Sequence, residues 1–130
     1  MASIFSKIIS GELPAHIIAE NDFCIAFLDV FPLAIGHCLV VPKQEIDYIF
    51  DVDAPLYAEM FAFSKKIALA IQKAVPCKKV GMTVIGLEVP HAHIHLVPLH
   101  AVGDMNFSKP KLQMSEAQLK ETANKIRQYI

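Results

Sequence analysis

The chain has 130 residues, of which 54% are hydrophobic and 19% charged, and its formal net charge is −1. That is one domain's worth of sequence, enough to bury roughly two thirds of the surface its unfolded chain exposes. The charge balance offers no basic groove for nucleic acid, no apolar run reaches the ~20 residues of a bilayer span, and no basic-then-apolar leader opens the chain, so the expected compartment is the cytoplasm.

Ile4-Phe5 and Ile8-Ile9 recur at helical spacing ahead of Gly11, which predicts a short helix with a glycine stop. Residues 16–20 and 23–28 read as strands of a hairpin, with Asn21-Asp22 as its turn. Phe31-Pro32 break the second strand, and Gly36 opens a third over residues 37–41, closed by Pro42. Asp53 is an N-cap residue and Pro55 suits a first turn, so a long helix is expected from there to Val75, stopped by Pro76. Its apolar stripe reads as Tyr57, Phe61, Ala68, Ile71 and Val75, widened by Met60, Phe63 and Ile67. Residues 79–85 and 91–99 are expected strands on either side of a loop over 86–90. Residues 101–114 read as irregular, and Ser115 with Gln118 forms a Ser-x-x-Gln capping box that opens a last helix to Ile130. Strands joined by short turns, with helices before, between and after them, predict an α+β domain with an antiparallel sheet. Cys24, Cys38 and Cys77 lie far apart and read as reduced thiols.

The chemistry sits in His91, His93 and His95. Side chains repeat every two residues along a strand, so these imidazoles share one face while Ala92, Ile94 and Leu96 turn to the core. A row of imidazoles is a poor core but can hold a phosphate or a metal, because near neutral pH the ring can be nucleophile, donor or ligand. His16 and His100 read as surface residues, and His100 falls on the opposite face from His95. Asp29 reads either as the residue that holds the turn before Pro32 or as a functional carboxylate, and its position leaves both open. The spacing of His37 leaves the same question.

The run from His91 to Val97, His-Ala-His-Ile-His-Leu-Val, resembles the signature of the histidine triad (HIT) nucleotide-binding proteins of the Hint branch. Residues 3–15 resemble that family's opening helix. Ala26-Phe-Leu-Asp-Val-Phe-Pro32 resembles its nucleoside-binding strand, and Gly36-His-Cys-Leu-Val-Val-Pro-Lys43 its next strand, in the expected order. The resemblance implies a HIT-like α+β fold over residues 1–130, with a five-stranded antiparallel sheet, a short N-terminal helix, one long central helix and a C-terminal helix near 115–130. It implies a hydrolase or transferase that acts on the α-phosphate of purine nucleoside phosphoramidates or dinucleoside polyphosphates through a covalent nucleotidyl-histidine on His93. His95 would donate to a phosphate oxygen, and His37 and His91 would complete the cluster and tune its protonation. Asp29 would accept the ribose hydroxyls, and Ile4, Phe5, Phe27, Leu28 and Val30 would line the base slot. The resemblance also implies a homodimer, and no cofactor, nucleic acid or membrane is expected.

Three positions depart from the family's pattern. Ser3, Ser6 and Glu45 stand where zinc-binding relatives place two cysteines and a histidine that bind together with the first triad histidine. Hydroxyls are poor zinc ligands beside thiolates, so no structural zinc is expected and His91 is left free for the active site. The loop over 85–90 is short and lacks the family's phosphate-binding asparagine. Glu88 stands where relatives carry a serine, and a carboxylate beside a phosphate is repelled by it. Glu88 therefore reads either as a group that pairs with or protonates an amine leaving group, or as a solvent-facing residue. Two rival readings stay open: a metal-dependent hydrolase built on the histidine row, and a nucleotide-binding module that has lost catalysis.

Overall fold

The computed structural model describes residues 2–130. Helix α1, Ile4–Ile9, begins at Ser3, whose side chain accepts the Ser6 N–H. Strands β1, Ile17–Glu20, and β2, Cys24–Leu28, form the expected hairpin. Its turn is fastened by Asn21 Oδ1, which accepts the N–H groups of Phe23 at 2.9 Å and Cys24 at 2.8 Å. Strand β3 spans Cys38–Pro42 and helix α2 Ala54–Ala74, the latter capped by the Asp53 side chain as its sequence predicts. Strands β4, Lys79–Thr83, and β5, Ile94–Leu99, follow, and helix α3, Glu116–Arg127, starts at the Ser115–Gln118 capping box. The five strands pair antiparallel in the order β1-β2-β3-β5-β4. Among the described residues no helix is long and apolar enough to cross a membrane.

Alternation along β2 divides the core between the two faces of the sheet. Cys24, Ala26 and Leu28 join Met60, Phe63, Ile67 and Ile71 of α2 and Leu119, Ala123 and Ile126 of α3. Ile25 and Phe27 point the other way and pack with Phe5, Leu39 and Val41 beneath α1. The buried stripe of α2 is Leu56, Met60, Phe63, Ile67, Ala70 and Ile71, while Tyr57, Phe61, Ala68 and Val75 flank it. The expected stripe is thus rotated by about one position. Two adjacent rows of this helix are apolar, and only the fit to the sheet chooses between them.

Three boundaries differ from expectation by two residues or more, and several others by one. Strand β5 begins at Ile94 rather than at residue 91, because β3 offers partners only from Val40, opposite Ile94, to Cys38, opposite Leu96. Upstream the chain leaves the ladder: His91 N–H bonds to Val89 O and Ala92 N–H to Ile46 O. Strand β4 ends at Thr83, opposite His95. Helix α3 ends at Arg127, and a 3₁₀ turn over Val102–Met105 interrupts the segment expected to be irregular.

Candidate active site

His37, His93 and His95 are brought together on the α1 side of the sheet. Gly36 sets the entry to β3 at φ +96°, and a Cβ there would lie 2.9 Å from Val75 Cγ2, so glycine is required on both counts. His37 follows at once, and its Nδ1 accepts the Leu33 N–H at 3.0 Å. That bond fixes the tautomer. A neutral ring that accepts at Nδ1 carries its proton on Nε2, and His37 Nε2 lies 3.0 Å from His95 Nδ1. His37 therefore donates to His95, and the proton of His95 sits on Nε2, free to donate. Burial drives both rings toward neutrality, to about 4 for His37 and about 3 for His95, with neighbouring positive charge and imidazole adding to the effect.

His93 is oriented from the other side. Its Nδ1 lies 2.8 Å from the His91 carbonyl, which can only accept, so Nδ1 carries the proton and Nε2 keeps a bare lone pair. Burial lowers its pKa below the ordinary histidine value, which keeps that lone pair available at neutral pH. Its ring meets Phe5 edge-on at 4.9 Å between centroids and His95 at 4.8 Å.

The His91 side chain is not free for the active site, which corrects the expectation for this residue. Its Nε2–H donates to Pro42 O at 2.8 Å, so Nδ1 accepts, and the Ser3 hydroxyl supplies the donor at 2.7 Å. His91 meets His93 through its carbonyl, while its ring is a buried strut between α1 and β3. Ser3 N–H and Ser6 O–H in turn donate to Glu45 Oε1 at 2.6 and 2.7 Å, which holds the Glu45 carboxyl down at about 2. The four positions where relatives hold zinc are thus joined to one another by hydrogen bonds. Both ring nitrogens of His91 are engaged, and this donor set does not fit a structural zinc.

Asp29 Oδ1 accepts the Phe31 N–H at 2.9 Å, so the turn reading of this residue describes its geometry. Its Oδ2 lies 3.6 Å from His37 Nε2, and burial raises its pKa. Donor atoms of Asp29, His37 and His95 lie within 4.8 Å of one another, close enough to suggest a metal site. The Leu33 N–H argues against it, because it holds the proton of His37 on the nitrogen that would have to ligate.

Phe5 and Phe27 meet edge-on at 5.6 Å and form a buried apolar pair beside His93, while Ile4 and Val30 are exposed. Leu28 is a correction: it points to the opposite face and is buried against α2, because neighbours on a strand cannot share a face. Glu88 is exposed, and its charge is felt at both His93 and Asp29. Two further groups belong to the neighbourhood. Ser3 caps α1, and its hydroxyl meets the ring of His91, the residue with which the family's zinc pattern groups it. Phe107 packs on the histidine pair from an aperiodic segment, where the family's variable C-terminal region makes Met105, Asn106 and Phe107 no more than loose candidates.

The fold and these histidines define a histidine triad protein. The HIT domain family matches residues 10–102, and the chain belongs to that family. It is 31% identical to an uncharacterized HIT-like protein of Borreliella burgdorferi, an alignment that covers 95% of this chain and 94% of that one. It is 32% identical to the adenosine 5'-monophosphoramidase HNT1 of Saccharomyces cerevisiae over 75% of this chain and 62% of that protein. The crystal structure of a Hit-like protein from Bartonella henselae, described as involved in cell-cycle regulation, superposes with a TM-score of 0.86 at 29% identity, covering 98% of this chain and 96% of that chain.

Proposed function

We propose that this HIT-family enzyme hydrolyses the bond between the α-phosphate of a purine nucleotide and its leaving group, with phosphoramidates as the first substrate class and dinucleoside polyphosphates as the second. The observation that carries the reading is the tautomer of His93, whose Nδ1–H is held by the His91 carbonyl so that Nε2 is bare. In the first step His93 Nε2 attacks phosphorus, and the new P–N bond forms as the bond to the leaving group breaks. His95 Nε2–H donates to the phosphate oxygen on which charge gathers. Water then attacks phosphorus and gives up a proton to solvent, the P–N bond breaks with its electron pair returning to Nε2, and the nucleoside monophosphate leaves with His93 restored. Asp29 Oδ2 is the acceptor for a ribose hydroxyl, and Phe5 and Phe27 underlie the base. The yeast relative's name, a monophosphoramidase, supports the substrate class.

Glu88 supplies or pairs with the proton on a departing amine in this scheme. The test is hydrolysis of an adenosine phosphoramidate and of an adenylate with an alcohol leaving group, after chelator treatment, by wild type and Glu88→Gln. Turnover should survive the chelator, and the variant should slow the amine substrate selectively. Loss on chelation returns the metal-dependent reading, bound nucleotide without turnover returns the silent module, and a variant that slows both substrates equally, or neither, removes Glu88 from the reaction.

We also propose a homodimer. Strand β4 is an edge of the sheet, and Met82, Ile85, Leu87 and, on α2, Leu69 are exposed. An edge with free backbone groups and apolar side chains is a surface that a second chain can cover. Mass in solution tests it, since a protein that stays monomeric at high concentration contradicts it. The three free cysteines fit the reducing cytoplasm that we propose as its location.

A further inference from the structure

Residues 103–130 lie beyond the span that the HIT domain family matches, yet Phe107 packs against the active-site histidines. Its ring stands edge-on to His95 at 4.7 Å between centroids and to His37 at 6.0 Å. The segment around it is fastened at several points. Lys109 N–H bonds to Asn106 O at 3.1 Å and Ser108 N–H to Asn106 Oδ1 at 2.9 Å, which closes a turn. The Lys111 ammonium donates to the carbonyls of Phe107 at 2.6 Å and Lys109 at 3.2 Å, and lies 5.8 Å from the centroid of the Phe107 ring. Leu112 N–H donates to Pro32 O at 2.8 Å, tying the segment to the turn whose next residue, Leu33, donates to His37.

We infer that residues 106–112 form a strap across the active site and that Phe107 is a positioning residue: it keeps water from the His37–His95 hydrogen bond and holds the His95 ring with Nε2–H toward the phosphate. The last clause rests on the proposed function, whereas the drying of the pair does not. Water at this pair would compete for His95 Nδ1 and let the ring take a proton there. A His95 protonated at Nδ1 faces the Nε2–H of His37 and cannot keep that bond. The ionisable groups around the pair are Asp29, Lys111 and His93, with Glu88 beyond them. Phe107 itself carries no charge, so its removal changes the pair through hydration rather than through a lost ion.

The experiment is NMR titration of the histidine rings in the full chain, alongside phosphoramidate kinetics, for wild type, Phe107→Ala and Phe107→Leu. In Phe107→Ala the midpoints of His95 and His37 should move up by about one pH unit as water reaches the pair. Turnover should fall about tenfold, in kcat rather than KM, as His95 loses its aim. Phe107→Leu should restore both, because the cover needs to be apolar rather than aromatic. Should Phe107→Ala not fold, Phe107→Gln, which keeps bulk but brings a polar group, should show the same upward shift. Unchanged midpoints in a folded Ala or Gln variant overturn the strap. The titration needs no turnover, so an inactive wild type would refute the proposed function while the strap is judged on its midpoints alone.

Discussion

Replacing His93 with alanine is expected to lower phosphoramidate turnover by a factor of at least about 10³ while the protein stays folded. The bare Nε2 of His93 is the nucleophile in the proposed mechanism, and among the described residues no neighbouring ring nitrogen is free to replace it. His95 Nε2 and His37 Nε2 carry their protons, fixed in sequence from the Leu33 N–H. Both nitrogens of the His91 ring are occupied by Pro42 and Ser3. The structural cost should be small beside the kinetic one. The lost Nδ1–H leaves the His91 carbonyl without its donor, worth about 1–3 kcal/mol if no water takes its place. The check is steady-state kinetics paired with a thermal melt. A variant that melts like wild type and retains turnover within tenfold would remove His93 from the chemistry.

Replacing His95 with alanine is expected to cost about 10²–10³ in kcat, the usual loss when one donor to a developing oxyanion is removed. His37 Nε2–H then loses its acceptor, so part of the cost reflects a disturbed neighbour. The same pair sets the response to acid. Burial places the folded values at about 4 for His37 and about 3 for His95, below the ordinary 6.5 of an exposed histidine. Below pH 6.5 the unfolded chain takes up protons that the folded chain refuses, so these two groups weaken the fold as pH falls from there through their folded values. Activity should hold across the neutral range and fail in acid as the relay protonates. Melting temperature and kcat followed from pH 8 downward check both signs, and stability that rises as pH drops below 6.5 would contradict the assignment of neutral, buried rings.

Much of this architecture was legible because the signals are local. Asp53 and Pro55 start α2, Ser115 with Gln118 starts α3, and Asn21 closes the first hairpin, each through a bond within a few residues. The alternation of Ala92, Ile94 and Leu96 into the core also followed from the sequence, although only His95 of the histidine row stands within the strand. What was not legible depends on contacts distant in sequence. The start of β5 is set by where β3 stops offering partners. His91 alternates with His93 and His95, and alternation alone does not show that its ring bonds to the Pro42 carbonyl and to the Ser3 hydroxyl, 88 positions away in the chain, although the family's zinc pattern groups Ser3 with it. Phe107 sits in a segment with no period, and nothing local ties it to His95. Leu28 is a different case: alternation along β2 sends it and Phe27 to opposite faces, so the two could never line one slot.

Asp29 shows how the two accounts of a residue can coexist. Its Oδ1 holds the turn ahead of Pro32, and its Oδ2 faces His37. A turn residue with one oxygen to spare can still meet a ribose hydroxyl, so its structural role does not compete with the proposed one.

The most direct test of the mechanism is acid-free denaturing quench of the reaction with an adenosine phosphoramidate in the presence of chelator, followed by intact-protein and peptide mass measurement. A transient adenylyl group on the peptide that carries His93, absent from His93→Ala, is the predicted result. Steady turnover with no adduct at any quench time, or an adduct on another residue, would contradict it.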